Sequence, residues 1–310
     1  MSASTSDAAW GGIDLGGTKI EATLFDSNLT ALASRRIPTP RQSYADLLEA
    51  LTAEITWLRV ASGQPDLPVG IGIPGLIDPI TGQSVTANLP ANGMPLGNDL
   101  KARNGGFIRL ANDCKCFALS EAIGGAGEGY HTVFGLILGT GLGGGVVVDG
   151  ALLPGPNVLA GEIGHAALPA PIMARYNLPI LPCGCGRQGC FETFLCGTGM
   201  TRLAKTLAGA PLTAPEVVAA TAQGDETAAH ILDVWLQIAG ELLHSLQLHI
   251  DPDCIVLGGG LSNIEGLEHN LADALASVAL PGLRAPLICK PKFGDSSGAR
   301  GAALLVRPDA

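Results

Sequence analysis

Val133-Phe134-Gly135-Leu136-Ile137-Leu138-Gly139-Thr140-Gly141-Leu142-Gly143-Gly144-Gly145-Val146-Val147-Val148 is the stretch on which the fold turns. Gly139, Gly141 and Gly144 spell a G-x-G-x-x-G, and Glu162 stands beyond them about where an acidic ribose partner would. A dinucleotide fingerprint also needs a helix directly after the glycine turn, because the helix N-terminus receives the pyrophosphate. Here Val146, Val147 and Val148 follow, then Gly150, Pro154 and Pro156. That is a strand and a loop, so the dinucleotide reading fails. Strand, glycine turn, strand instead describes a phosphate loop between two strands, with Thr140 facing the phosphoryl group. No G-x-x-x-x-G-K-S/T is present, which excludes a P-loop enzyme.

The same grammar occurs nearer the start. Gly11–Leu15 is a short apolar strand, Gly16-Gly17 a turn, and Thr18–Phe25 alternates Ile20, Ala22 and Leu24. A third strand runs to about Arg36. Tyr44, Leu47, Leu48, Leu51, Ile55 and Leu58 have helical spacing behind a candidate N-cap, Ser43, so a helix is expected over 43–61. Val69–Ile73 and Phe107–Leu110 read as strands, the second leading into Asn112-Asp113 and a helix to about Ile123. Further on, the expected elements are a helix near 226–250, a strand at Cys254–Leu257, a helix near 265–278, a strand near 287–289 and a helix near 297–306. Residues 150–195 read as loop-dominated. Glycine turns at matching places in two α/β runs suggest an internal duplication.

The chain has 310 residues and 47% hydrophobic side chains, enough for two domains. Its net charge of −10 argues against a general nucleic-acid binder, although backbone amides still suit a small anion. The opening MSASTSDAAW lacks a basic region and an apolar run, so no signal peptide is expected and the cytoplasm is the expected compartment. Val133–Val148 carries six glycines and reads as strands rather than a membrane span.

Five motifs carry candidate chemistry. Asp14-Leu15-Gly16-Gly17-Thr18-Lys19 brings backbone N–H groups and a hydroxyl to a phosphate, with Asp14 a candidate Mg²⁺ ligand; an ordinary hairpin turn is the bland alternative. Leu138, Gly139, Thr140, Gly141, Gly143, Gly144 and Gly145 form the second glycine segment. Gly258 and Gly259 end a strand and suit close approach of a nucleoside, or simply a strand-to-helix turn. Cys183, Cys185 and Cys190 place three thiolates within eight residues, and His165 is the candidate fourth ligand of a closed, structural zinc site; a redox disulfide or simply buried thiols are the alternatives. Asp113 is a candidate general base, with helix capping as its alternative. Glu162 and Glu192 flank the zinc ligands, where carboxylates are well placed to accept hydrogen bonds from sugar hydroxyls.

Together these segments resemble the ROK family (repressors, open reading frames and kinases), from Gly12 to about Val306. The resemblance implies a two-lobed actin/hexokinase-type α/β fold with ribonuclease-H-like lobes and an interlobe cleft. The expected division puts residues 1–112 and about 297–310 in the smaller lobe and 113–296 in the larger. By position it implies Asp113 as catalytic base, and Asn88, Asn112, Glu162, His165 and Glu192 as sugar contacts. Gly12–Lys19 and Leu138–Gly145 match ATP-contacting segments, and His165, Cys183, Cys185 and Cys190 match zinc ligands. ATP, Mg²⁺, structural Zn²⁺ and a homodimer follow as expectations. The family usually continues Asn-Asp-Ala-Asn, whereas this chain has Asn112-Asp113-Cys114-Lys115, with Lys115 either near a carboxylate or in solvent. Within the family, Ile37–Arg41, Ala87–Pro90 and Phe117–Ala122 resemble bacterial N-acetyl-D-glucosamine kinases. Glu192-Thr193-Phe194 and Gly294–Gly298 resemble fructokinases nearly as well. A family repressor is disfavoured, because only eleven residues precede Gly12 and none is basic.

Overall fold

Ser43 caps the first long helix as the sequence predicts. Its Oγ accepts from Asp46 N at 3.1 Å, and Gly63 closes the other end at φ 69°. That helix, α1 (Tyr44–Ser62), buries Leu47, Leu48, Leu51, Ile55 and Leu58 against a five-stranded sheet. Burying one such side chain is worth roughly 1.5–3 kcal/mol. The computed structural model describes residues 8–294 and 297–307. Residues 1–7 of the opening stretch, and Asp295-Ser296 of the fructokinase-like segment, lie outside the described residues.

The first sheet has the order β3-β2-β1-β4-β7, from β1 (Ala8–Leu15), β2 (Lys19–Asp26), β3 (Ala31–Pro38), β4 (Val69–Ile73) and β7 (Ile108–Asn112). The first three strands run antiparallel, while β1, β4 and β7 run parallel. Between β4 and β7 lie β5 (Leu76–Ile77), β6 (Ser84–Val85) and α2 (Leu96–Asn104); α3 (Asp113–Ala122) follows β7. The second sheet repeats the order as β10-β9-β8-β11-β12, from β8 (Thr132–Leu138), β9 (Leu142–Val148), β10 (Ala151–Leu152), β11 (Cys254–Gly258) and β12 (Leu287–Cys289). Again the last two strands are parallel additions beside the first. This repeated order is the duplication the glycine turns suggested. The remaining helices are α4 (Ala170–Arg175), α5 (Glu192–Leu195), α6 (Gly197–Ala208), α7 (Ala214–Ala222), α8 (Glu226–His249), α9 (Leu267–Val278) and α10 (Ser297–Leu304). No helix among the described residues is long and apolar enough to cross a membrane.

The described residues form two units. One comprises those up to Gly125, Gly145–Ala160 and those from Phe293; the other comprises Ala126–Gly144 and Gly161–Lys292. Where the expected division put residues 113–296 in the larger lobe, α3 and Gly145–Ala160 group with the first unit, and α10 packs directly on α3. A Cβ on Gly301 would lie 1.7 Å from Cys116 O, so only glycine permits that approach. Two further differences stand out. Helices α6 and α7 were not anticipated. And β9 begins at Leu142, so Gly143, Gly144 and Gly145 are strand residues rather than loop. Side chains there are excluded by neighbours: a Cβ at Gly144 would meet the Phe134 ring at 2.5 Å, and one at Gly145 would meet Lys115 Cα at 2.8 Å.

Candidate active site

In the first unit, the parallel strands end in register, Asp14 beside Gly72 and Ile73 beside Asn112. Asp14, Asn112 and Asp113 therefore share the carboxyl edge of one sheet, where α/β proteins bind ligands. The turn between β1 and β2 is closed by Gly16 N donating to Lys19 O at 2.9 Å. Thr39, not singled out from sequence for this task, pins the turn: its Oγ1 donates to Gly16 O at 2.7 Å and its N to Thr18 O at 3.0 Å. Gly17 has open space where a side chain would be, whereas a Cβ on Gly12 would sit 1.9 Å from Ala299 O. Gly17 thus stands at an open turn, and Gly12 is a packing glycine beneath α10. The same helix closes on Asp14, since a Cβ on Gly298 would come within 2.7 Å of its carboxylate.

Asn112, not Asp113, caps α3. Its Oδ1 accepts from Cys114 N at 2.9 Å and Lys115 N at 3.3 Å, and its Nδ2 donates to Gly75 O at 3.0 Å. Asp113 is the first residue of the helix, half-buried, with Oδ1 accepting from Cys114 N at 2.8 Å. Behind it, burial and then the negative charges of Asp14 and Asp113 hold the Cys116 thiol well above the usual range. Asn88 is exposed in a bend held by buried Leu89, whose carbonyl accepts from Thr86 Oγ1 at 3.4 Å. Lys115 is buried rather than in solvent, 8% exposed, and donates through Nζ to Val158 O.

In the second unit, the turn between β8 and β9 is only Gly139–Gly141, closed by Gly139 N donating to Gly141 O at 3.0 Å. Thr140 is exposed at its tip. Gly259, at φ 79°, lies so close that a Cβ would meet Leu138 C at 2.5 Å. Gly258 ends β11 beside it. Gly197 N donates to Gly139 O at 2.7 Å, so the start of α6 also supports this turn. The stripe Met200, Leu203, Ala204, followed by Gly209, was the signal for that helix.

His165, Cys183, Cys185 and Cys190 converge, with one ligand atom from each within 4.8 Å of the others. Cys183 Sγ lies 3.6 Å from His165 Nδ1, and Cys185 Sγ lies 3.7 Å from Cys190 Sγ. Tetrahedral coordination with metal–sulfur bonds of about 2.3 Å requires sulfurs roughly 3.8 Å apart, so the donor set fits a metal. The loop turns back through Gly186 and Gly189, at φ 85° and 69°. Burial pushes the Cys183 and Cys190 thiols upward, and a cation at the centre reverses this by favouring thiolates.

The two glutamates attach to this cluster. Glu162 Oε2 lies 3.9 Å from His165 Nε2, the ring nitrogen away from Cys183. Glu192 Oε1 lies 3.6 Å from Cys183 Sγ, and its Oε2 accepts from Leu142 N at 3.0 Å. Gly164 packs on Leu142, where a Cβ would meet the carbonyl oxygen at 2.1 Å. Glu192 therefore ties the cysteine loop to the Gly139–Gly141 turn within one unit.

Repeated five-stranded sheets, each with glycine turns at its strand ends, define a protein of the actin/hexokinase-type α/β class. The chain belongs to the ROK family, whose model matches residues 10–309. It is 42% identical over 304 residues to the N-acetyl-D-glucosamine kinase of Shigella flexneri, covering 96% of this chain and 99% of that one. It is 41% identical over 295 residues to the N-acetylgalactosamine kinase AgaK of Shewanella sp. strain ANA-3, covering 95% of each. Among solved structures, the ROK hexokinase of Thermus thermophilus superposes with a TM-score of 0.84 at 32% identity, covering 95% of this chain and 96% of that one.

Proposed function

We propose that this chain is an ATP-dependent sugar kinase that phosphorylates N-acetyl-D-glucosamine on its 6-hydroxyl, with Asp113 as general base. The observation that carries this reading is the placement of Asp113. It stands at the carboxyl edge of β7, on the same edge as Asp14, and Asn112 has taken over the capping of α3. A carboxylate so placed is available to accept the proton of an attacking alcohol, the main chemical task phosphoryl transfer leaves to the protein. Gly16, Gly17 and Thr18, with Gly139, Thr140 and Gly141, offer turn backbone and hydroxyls to the ATP phosphates. Asp14 is the proposed oxygen ligand for Mg²⁺, which when bound would neutralise developing phosphate charge. Asn88, Asn112, Glu162, His165 and Glu192 are the proposed sugar contacts. Zinc, on His165, Cys183, Cys185 and Cys190, would fix Glu162 and Glu192 by holding the loops that carry them. The working form is proposed to be a cytoplasmic homodimer, on the family resemblance and the likeness to sugar-kinase relatives.

The Shewanella relative favours a second reading, the 4-epimer N-acetylgalactosamine. A coupled ADP-release screen decides: both N-acetylhexosamines, N-acetylmannosamine, glucose, mannose and fructose are compared by kcat/KM. N-acetylglucosamine is expected to lead. Dominance of fructose or of the 4-epimer overturns the choice of sugar, and no ADP release with any sugar overturns the kinase reading.

A further inference from the structure

Lys115 occupies the position where the family's Asn-Asp-Ala-Asn ends, and nothing in the mechanism above uses it. Its side chain is buried, although lysine is seldom buried without a partner. One partner here is the carbonyl of Val158. Val158 is itself unusual. Its φ is 49°, a left-handed conformation that a β-branched residue adopts only when its surroundings hold it there. It ends a turn, with Val158 N donating to Gly155 O at 3.2 Å. Around it the chain is open to solvent: Leu153, Pro154, Gly155, Pro156, Asn157 and Leu159 are all exposed. Leu153 N, bonded to Val146 O at 2.9 Å, anchors the loop at its start. The far end runs through Ala160 into Gly161-Glu162, so Val158 is four residues from Glu162. Backbone spacing fixes Lys115 as well: Gly145 admits its Cα at a distance no side chain would allow.

We propose that Lys115 is a positioning residue for sugar recognition: its ammonium holds Val158 in a strained turn and so sets the loop that delivers Glu162. This rests on the sugar-kinase reading and deepens it, since the lysine acts through the backbone on a proposed sugar contact and not on ATP. The energy that would otherwise let Val158 relax is opposed by a charge-assisted hydrogen bond, the stronger kind. The chain thereby keeps a defined loop entry.

Lys115→Met keeps the aliphatic stem and removes the donor. Hydrogen exchange of the ligand-free protein is expected to speed up at Val158–Gly161 and stay unchanged in the core strands. The sugar KM is expected to rise about tenfold to a hundredfold, the scale on which a displacement of roughly 1 Å acts, with the ATP KM within about twofold. Adding Val158→Gly, which adopts the same φ without restraint, is expected to recover part of the sugar KM. Unchanged loop exchange, equal shifts in both KM values, or no recovery in the double variant overturns the proposal. If Lys115→Met fails to fold, Lys115→Gln, which shortens the reach of the donor, is read by the same measures. A wild-type protein that phosphorylates no sugar sinks the kinase reading alone, because the exchange measurement needs no turnover.

Discussion

At the scale of single residues, neighbouring positions divide structural from chemical work. Asn112 satisfies the first N–H groups of α3, and the Asp113 carboxylate accepts from Cys114 N through Oδ1. Asp113→Asn preserves size and that contact but removes basicity. It is expected to lower kcat by about a hundredfold to ten-thousandfold while leaving the sugar KM nearly unchanged, measured by steady-state ADP release. Turnover close to wild type would remove Asp113 from the role of base. The glycines of the first motif divide in the same way. Gly12→Ala forces a Cβ to within 1.9 Å of Ala299 O, in a strand and helix that cannot both give way. A loss of roughly 3 kcal/mol or more in urea unfolding is expected, as for overpacking of a rigid core. Gly17→Ala meets nothing within 4 Å. It is expected to leave stability within about 0.5 kcal/mol and to raise the ATP KM roughly tenfold, by fending off the phosphates the turn would touch. A Gly17→Ala protein with a normal ATP KM would return that turn to the status of an ordinary hairpin.

At the scale of elements, legibility followed locality. Helices α1 and α8 were readable because their apolar positions repeat on one face; Ile231, Val234, Trp235, Ile238, Leu242 and Leu246 are all buried in α8. The cysteine loop was readable because its ligand spacing is itself the chemistry. Gly143–Gly145 were misread as loop, because a glycine run carries no signal that separates a turn from a strand packed beneath an aromatic ring. Thr39 and the start of α6 escaped for a different reason: each supports a glycine turn far away in the chain, and sequence distance hides that. The metal loop makes its own prediction. Cys190 is buried while Cys185 is exposed, so Cys190→Ser disturbs the covered side of the cluster. The purified wild-type protein is expected to carry about one zinc per chain, and the variant much less, with a lower unfolding temperature because metal binding is coupled to folding. A metal-free wild-type protein with the same melting temperature and activity would show that the four side chains need no ion.

At the scale of the whole molecule, the first unit is assembled from separated stretches of chain. Its α3 leads out at Gly125, and Phe293 brings the chain back 168 residues later. Glu121 holds that return. Fully buried, it accepts from Ser297 Oγ at 2.6 Å and from Phe293 N at 3.1 Å. Arg300 completes the joint: Nη1 donates to Ser120 O at 2.6 Å, and the guanidinium lies 4.0 Å from the centre of the Phe293 ring. No local pattern announces such a joint, since Glu121 and Ser297 are 176 positions apart. In sequence a glutamate late in a helix reads as a solvated face. The structure gives it the opposite role, and the consequence is measurable. Glu121→Ala strips the acceptor from a buried hydroxyl and a backbone N–H, each costing about 1–3 kcal/mol when left unpaired. Glu121→Gln retains an acceptor and is expected to lose less. Urea unfolding should therefore rank wild type above Gln above Ala, while Asp113, on the opposite end of α3, keeps its place and the folded variants keep a measurable sugar KM. Equal stability of all three proteins would mean that α10 is held to α3 by apolar packing alone, through Gly301 and the buried alanines around it.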